Sequence, residues 1–141
     1  ASSCVLMDLK EAEKRNIEPM GIFRGLAIGG CEPDEMGIGP VIAVPKLLKQ
    51  HGLTVDDIDL WELNEAFASQ SLACIQDLGI DQNKVNLDGC ALALGHPLGA
   101  TGARITGKAA QLLKRENKKY ALATQCIGLG MGIATIIESV E

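Results

Sequence analysis

Three short segments of this sequence set an amide or ionisable side chain among small residues, which let a backbone turn tightly and approach a ligand closely. They are Asn64-Glu65-Ala66-Phe67-Ala68, the stretch from Gly95-His96-Pro97 through Ala103-Arg104, and Cys126-Ile127-Gly128-Leu129-Gly130-Met131-Gly132. An amide fixes a water or orients a substrate. A histidine exchanges a proton near neutral pH. A thiol delivered to a glycine turn, with backbone N–H groups beside it, suits acid/base or nucleophilic work next to an oxyanion site.

Each segment also has a purely structural reading. Asn64 suits a helix N-cap, His96 a tight loop around a satisfied imidazole, and Cys126 a buried cysteine before a hairpin. The histidine segment is no phosphate loop, because no Lys-Ser/Thr closes it, and the cysteine segment is no dinucleotide fingerprint, because a strand follows it. His51, before Gly52, reads as a surface residue at a helix end. Residues 36–40, Met36-Gly37-Ile38-Gly39-Pro40, read as a ligand-facing loop or a turn. Two histidines and five scattered cysteines give neither metal-ligand spacing nor a disulfide framework, which favours a reducing compartment.

The elements that must position these groups alternate. Residues 3–8, 21–28, 58–63, 120–125 and 131–140 read as strands. Residues 10–15, 41–50, 65–78 and 100–114 read as helices, with Pro45 an irregularity in the second. Gly79 is placed as a C-cap, and Thr54 with Asp57 as the cap of a short turn. Residues 29–40 read as a loop. The alternation in 58–63 predicts a strand with one buried face. The last two strands predict an antiparallel hairpin. The expected fold is therefore α/β, a mixed five-stranded sheet with helices on its faces, and the three segments fall at strand ends or helix starts, where open α/β sheets carry their reactive groups.

Size and composition fit one domain over residues 1–141, with 47% hydrophobic and 22% charged residues. A net charge of −5 argues against a general nucleic-acid surface. No apolar run reaches membrane-spanning length and no signal peptide is visible, so a cytoplasmic setting is expected, or an organellar matrix had a targeting segment been removed. The start at Ala1 reads as processing or a cut.

Taken together and in this order, Asn-Glu-Ala-Phe, Gly-His-Pro and Cys-x-Gly-x-Gly-x-Gly resemble the C-terminal motifs of thiolases, and the resemblance runs over essentially the whole chain. It implies the C-terminal half of an acyltransferase that makes or cleaves the carbon–carbon bond of 3-ketoacyl-CoA thioesters. His96 would activate an acyl-accepting cysteine and, with a water held by Asn64, bind a thioester oxygen. Cys126 would move the α-proton of acetyl-CoA. The N–H of Gly128 would serve a second oxyanion hole. Met36, Ala66 and Phe67 would line the acyl and pantetheine pocket.

The resemblance further implies coenzyme A as substrate and product, with no other cofactor and no metal. Its implied partners are acyl-CoA, an N-terminal thiolase domain and further copies of the whole enzyme, with no nucleic acid or membrane. The acyl-accepting cysteine belongs to the N-terminal half in this family, and Cys4, Cys31, Cys74 and Cys90 sit in no matching motif. Cys90 replaces a glycine usual before Gly-His-Pro, and Leu129 stands where glycine is frequent. The alternative is a non-catalytic module that keeps the fold for CoA-ester binding or assembly.

Overall fold

The structure, a computed structural model, describes residues 1–140. Helix α1 (Leu9–Lys14) is capped by the Asp8 carboxylate, which accepts from Lys10 N. Strand β1 (Ile22–Gly30) leads through a 3₁₀ turn at Pro33–Ile38 into α2 (Gly39–His51). Strand β2 (Leu60–Leu63), α3 (Ala68–Leu78), a 3₁₀ turn at Gln82–Lys84, the single turn α4 (Ala91–Leu94) and α5 (Leu98–Glu116) follow. The hairpin of β3 (Tyr120–Cys126) and β4 (Met131–Glu138) completes the order. No helix among the described residues is long and apolar enough to cross a membrane.

The sheet is mixed, in the order β1-β4-β3-β2. β2 and β3 run parallel, and the other two pairings are antiparallel. Strand alternation sends successive side chains to opposite faces. Leu122, Ala134 and Ile136 meet Ala43, Val44, Leu47 and Leu48 of α2 on one face. Leu60, Ala121, Ala123 and Ile137 meet Ile105, Ala109, Leu112 and Leu113 of α5 on the other. The apolar repeat expected for residues 100–114 is thus the buried stripe of α5, and burying each such leucine is worth about 1.5–3 kcal/mol.

Several expectations need correction. Among the described residues the sheet has four strands, not five: residues 3–8 pair with no strand, and Val5 and Leu6 are 83% and 77% exposed. Their apolar composition suits a strand, but hydrogen bonds from Ser2 Oγ to Ala100 O and from Cys4 Sγ to Ala103 O at 3.3 Å tie the start of the chain to α5, and Asp8 caps α1. A lone extended segment gains no ladder without a neighbouring strand edge. β2 is buried on both faces, because α5 covers one side and the α2–α3 layer the other. Its outer edge is shielded by Val85 and Asn86, whose N–H donates to Trp61 O at 2.8 Å.

Helix boundaries shift as well. α2 starts at Gly39, with Pro40 in its first turn where a missing N–H costs little, and keeps Pro45 inside. Part of the expected loop at 29–40 is the end of β1 and a 3₁₀ turn. α3 starts only at Ala68, and Gly79 ends it at φ 66° as expected. Thr54 and Asp57 form their turn, with both Thr54 N and Oγ1 donating to the carboxylate.

Candidate functional site at the carboxyl rim of the sheet

The carboxyl ends of β2 and β3 lie side by side, and Asn64 N donates to Thr124 O at 2.9 Å just beyond their last paired residues. α5 starts at the same rim, since His96, two residues ahead of it, meets the side chain of Asn64. The three segments therefore converge where two parallel strands end.

Asn64 is not an N-cap. Phe67 occupies that position of α3, and Asn64 is 0% exposed. Its Nδ2 lies 3.5 Å from both ring nitrogens of His96. Equal distances mean the amide faces the ring between its nitrogens and aims along neither lone pair, a long contact rather than a directed hydrogen bond. The directed bond of His96 runs from Nδ1 to Thr101 Oγ1 at 2.7 Å. That hydroxyl is 0% exposed and donates to Pro97 O at 3.2 Å, so it accepts from Nδ1–H. With the hydrogen on Nδ1, the lone pair of the ring lies on Nε2.

The loops that bring these groups together are tied by polar side chains. Asn86 accepts from Leu63 N at 2.9 Å and donates to Leu63 O at 2.8 Å and Glu65 Oε1 at 2.9 Å. Glu65 Oε2 accepts from Leu92 N in α4 at 3.1 Å. Behind Asn64, Arg104 Nη2 reaches its Oδ1 at 3.5 Å, and both Nη atoms lie 3.6 Å from the Sγ of Cys90. Cys90, 0% exposed, thus fills the floor beneath the amide. Glu62, two residues before Asn64, is 1% exposed. Burial pushes its carboxyl up to about 7 against the pull of Lys108 and Arg104, with Asp88 and Glu65 adding to the rise.

Cys126 sits at the same rim with the strand parity of Leu122 and Thr124, the α2 side. Burial raises its thiol pKa, and the nearby Cys31 raises it further. The glycines after it do different things. Gly128 (φ 84°) has nothing near its absent Cβ, and its N–H donates to no acceptor among the described residues. Gly130 (φ 76°) packs on the chain leaving β1, where a Cβ would lie 2.3 Å from Cys31 O. Gly132 packs on the start of α2, where a Cβ would lie 2.1 Å from the carbonyl carbon of Gly39. Gly128 thus stands in open space with its N–H unengaged, while Gly130 and Gly132 are fixed by close backbone packing.

Residues 36–40 pack on α3, with Cys74 Sγ donating to Gly37 O at 3.7 Å, so Met36 stands on the layer that Ala66 and Phe67 lead into. Met36 and Phe67 are 48% and 62% exposed. An open cleft of about 400 Å³ is lined by Asp88, Gly89, Leu94, Arg104, Lys108 and Gln111, and not by His96 or Cys126. The structure brings Asn64 and His96 within 3.5 Å of each other, and adds Glu62, Glu65, Asn86, Thr101 and Arg104, to which sequence reasoning gave no role. The signals were present: Glu62 shares a strand face with Asn64, and Thr101 and Arg104 share a helix face just after His96.

Residues 17–139 match the family model described as thiolase, C-terminal domain. The chain is 49% identical over 138 residues to a 3-ketoacyl-CoA thiolase of Bacillus subtilis (strain 168), covering 98% of this chain and 35% of the relative. It is 50% identical over 143 residues to one of Marinobacter nauticus, covering 99% and 37%. The fold superposes on human mitochondrial 3-ketoacyl-CoA thiolase, also solved in complex with CoA, with a TM-score of 0.91 and 47% identity over 94% of this chain and 34% of that one. The Bacillus anthracis acetyl-CoA acetyltransferase gives 0.92 at 40% identity, over 95% and 34%. The chain spans about a third of the length of the curated relatives it matches. With this fold, these motifs and these relatives, the chain belongs to the thiolase family, as its C-terminal domain.

Proposed function

We propose that this chain supplies the proton-transfer and oxyanion groups of a thiolase and is inactive without an N-terminal domain that carries the acyl-accepting cysteine. The observation that carries the reading is the Asn64–His96 contact at the rim where β2 and β3 end. His96, its Nδ1–H engaged by Thr101, offers Nε2 to deprotonate the missing thiol, a nucleophile of the ping-pong type. Asn64 holds the water that, with His96, binds a thioester oxygen. Cys126 removes and returns the α-proton of the acetyl group. Its raised pKa keeps it a thiol at neutral pH, ready to donate in the cleavage direction and in need of a base before it can accept. The unengaged N–H of Gly128 serves the developing enolate oxygen.

Coenzyme A esters enter as substrate and product, and Met36, Ala66 and Phe67 line their path. Exposed apolar side chains at Val5, Leu6, Leu26, Ile28 and Leu98 form surface for the N-terminal domain to cover. The complete enzyme would act as a homo-oligomer in the cytoplasm or an organellar matrix.

The test is reconstitution. The chain alone should show no cleavage of acetoacetyl-CoA. Mixed with a separately produced N-terminal thiolase domain it should cleave, and Cys126→Ala should abolish the activity. Turnover by the chain alone overturns the division of labour. A well-formed but inactive complex favours a CoA-ester-binding or assembly module instead.

A further inference from the structure

The carboxylate of Glu62 is the least expected group in the molecule. It is 1% exposed, and neither oxygen has a hydrogen-bond donor among the described residues. Burying a polar group without a partner costs on the order of a few kcal/mol. Its surroundings show what could offset that cost. Glu62 on β2 and Asn64, the residue just past its end, lie two apart and face α5, and Arg104 and Lys108 lie one turn apart on α5. A two-residue step along a strand covers about 6.6 Å, and a four-residue step along a helix about 6 Å. The two rows therefore stay in step, Asn64 and Glu62 against Arg104 and Lys108. Arg104 reaches Asn64 Oδ1 through Nη2 at 3.5 Å, while its Nε–H is buried with no acceptor among the described residues. A donor lacking an acceptor thus stands in the same layer as acceptors lacking a donor, with opposite charge.

An asparagine amide can face either way, oxygen or nitrogen toward a given neighbour. A guanidinium carries donors only. Whatever end of Asn64 faces Arg104 must therefore be the oxygen, which leaves Nδ2 toward His96.

We propose that Glu62 and Arg104 form a positioning pair: the buried carboxylate attracts the guanidinium through charge across the layer, without a hydrogen bond between them, and the guanidinium fixes which way the Asn64 amide faces. Neither touches a reacting group. This rests on the reading of Asn64 given above only for what the amide orientation is used for; the orientation itself is measurable without substrate.

The experiment is solution NMR of the isotopically labelled chain, reading the nuclear Overhauser contact between the Asn64 side-chain amide and the His96 ring. Glu62→Gln and Arg104→Met should each lose most of that intensity while backbone shifts of β3 and β4 stay native. The double variant should lose no more than the worse single one, as for groups acting as a unit. Undiminished contact in both folded single variants overturns the proposal, as does an independent, additive loss in the double. Should Arg104→Met fail to fold, the isosteric Glu62→Gln decides by the same readout. Thiolysis by the reconstituted enzyme tests the functional reading separately.

Discussion

On the α5 side of the rim, Asn64 and His96 are placed by polar side chains: Thr101 on the imidazole, Arg104 on the amide, Asn86 and Glu65 between the loops. On the α2 side, Cys126 and Gly128 are placed by backbone packed on backbone, Gly132 on Gly39 and Gly130 on Cys31. The first arrangement is sensitive to charge and hydrogen bonding. The second is sensitive to volume, because close-packed backbone has no flexible side chain to move aside. One rim thus joins groups that different perturbations will disturb.

The largest break is expected on the α2 side. Gly132→Ala puts a methyl 2.1 Å from Gly39 backbone, and it should destabilise the chain by about 3 kcal/mol or more, read by urea denaturation. A loss under about 1 kcal/mol would mean that α2 slides freely on β4.

Next comes Glu62. Its native carboxyl titrates at about 7, above the ordinary 4.5 of the unfolded chain. Between those values the native state holds a proton that the unfolded state has lost. The stabilising contribution is complete below the unfolded pKa and is lost as pH rises through the folded one. Wild type should therefore lose on the order of 2–3 kcal/mol between about pH 4.5 and 8 on account of this group. In Glu62→Gln that loss disappears, and the difference between the two denaturation curves across pH isolates it. Parallel pH profiles would place Glu62 in contact with water.

Asn86→Ala should cost about 2 kcal/mol, since it removes the ties to Leu63 and Glu65 and leaves a non-glycine residue at φ 49°. Protection of the α4 amides against hydrogen exchange should fall, while that of the β4 amides stays. Equal loss in both would erase the contrast between the two sides. The smallest effect concerns Leu129, 83% exposed at φ 52°. Leu129→Gly relieves a left-handed leucine and should raise stability by about 0.5–1 kcal/mol, with the entropy of the added glycine offsetting part of the gain.

How much of this was legible before folding varies by element. α5 was readable because its buried stripe recurs at helical spacing and is long enough to leave no alternative. The β3–β4 hairpin was readable from its glycine turn. The segment at 3–8 was misread because composition reports affinity for a sheet and says nothing of whether a sheet edge is within reach. The single buried face expected of β2 failed because alternation records where charge sits, and Glu62 is a charge placed inside. Asn64 illustrates the same limit: its local sequence fits a cap, and only the late start of α3 frees it.

The sequence by itself determined the chemical types, their order and the turns that carry them, because side-chain chemistry and glycine placement are local properties. It also determined the family, since three motifs at fixed order fill the chain. Only the tertiary structure decided which groups meet. Asn64 faces His96, and Gly132 bears on Gly39, across long stretches of intervening chain. The reason is geometric: a parallel pair of strands needs a long crossover, and the crossover carries α5 and its polar row back to the rim where β2 ended.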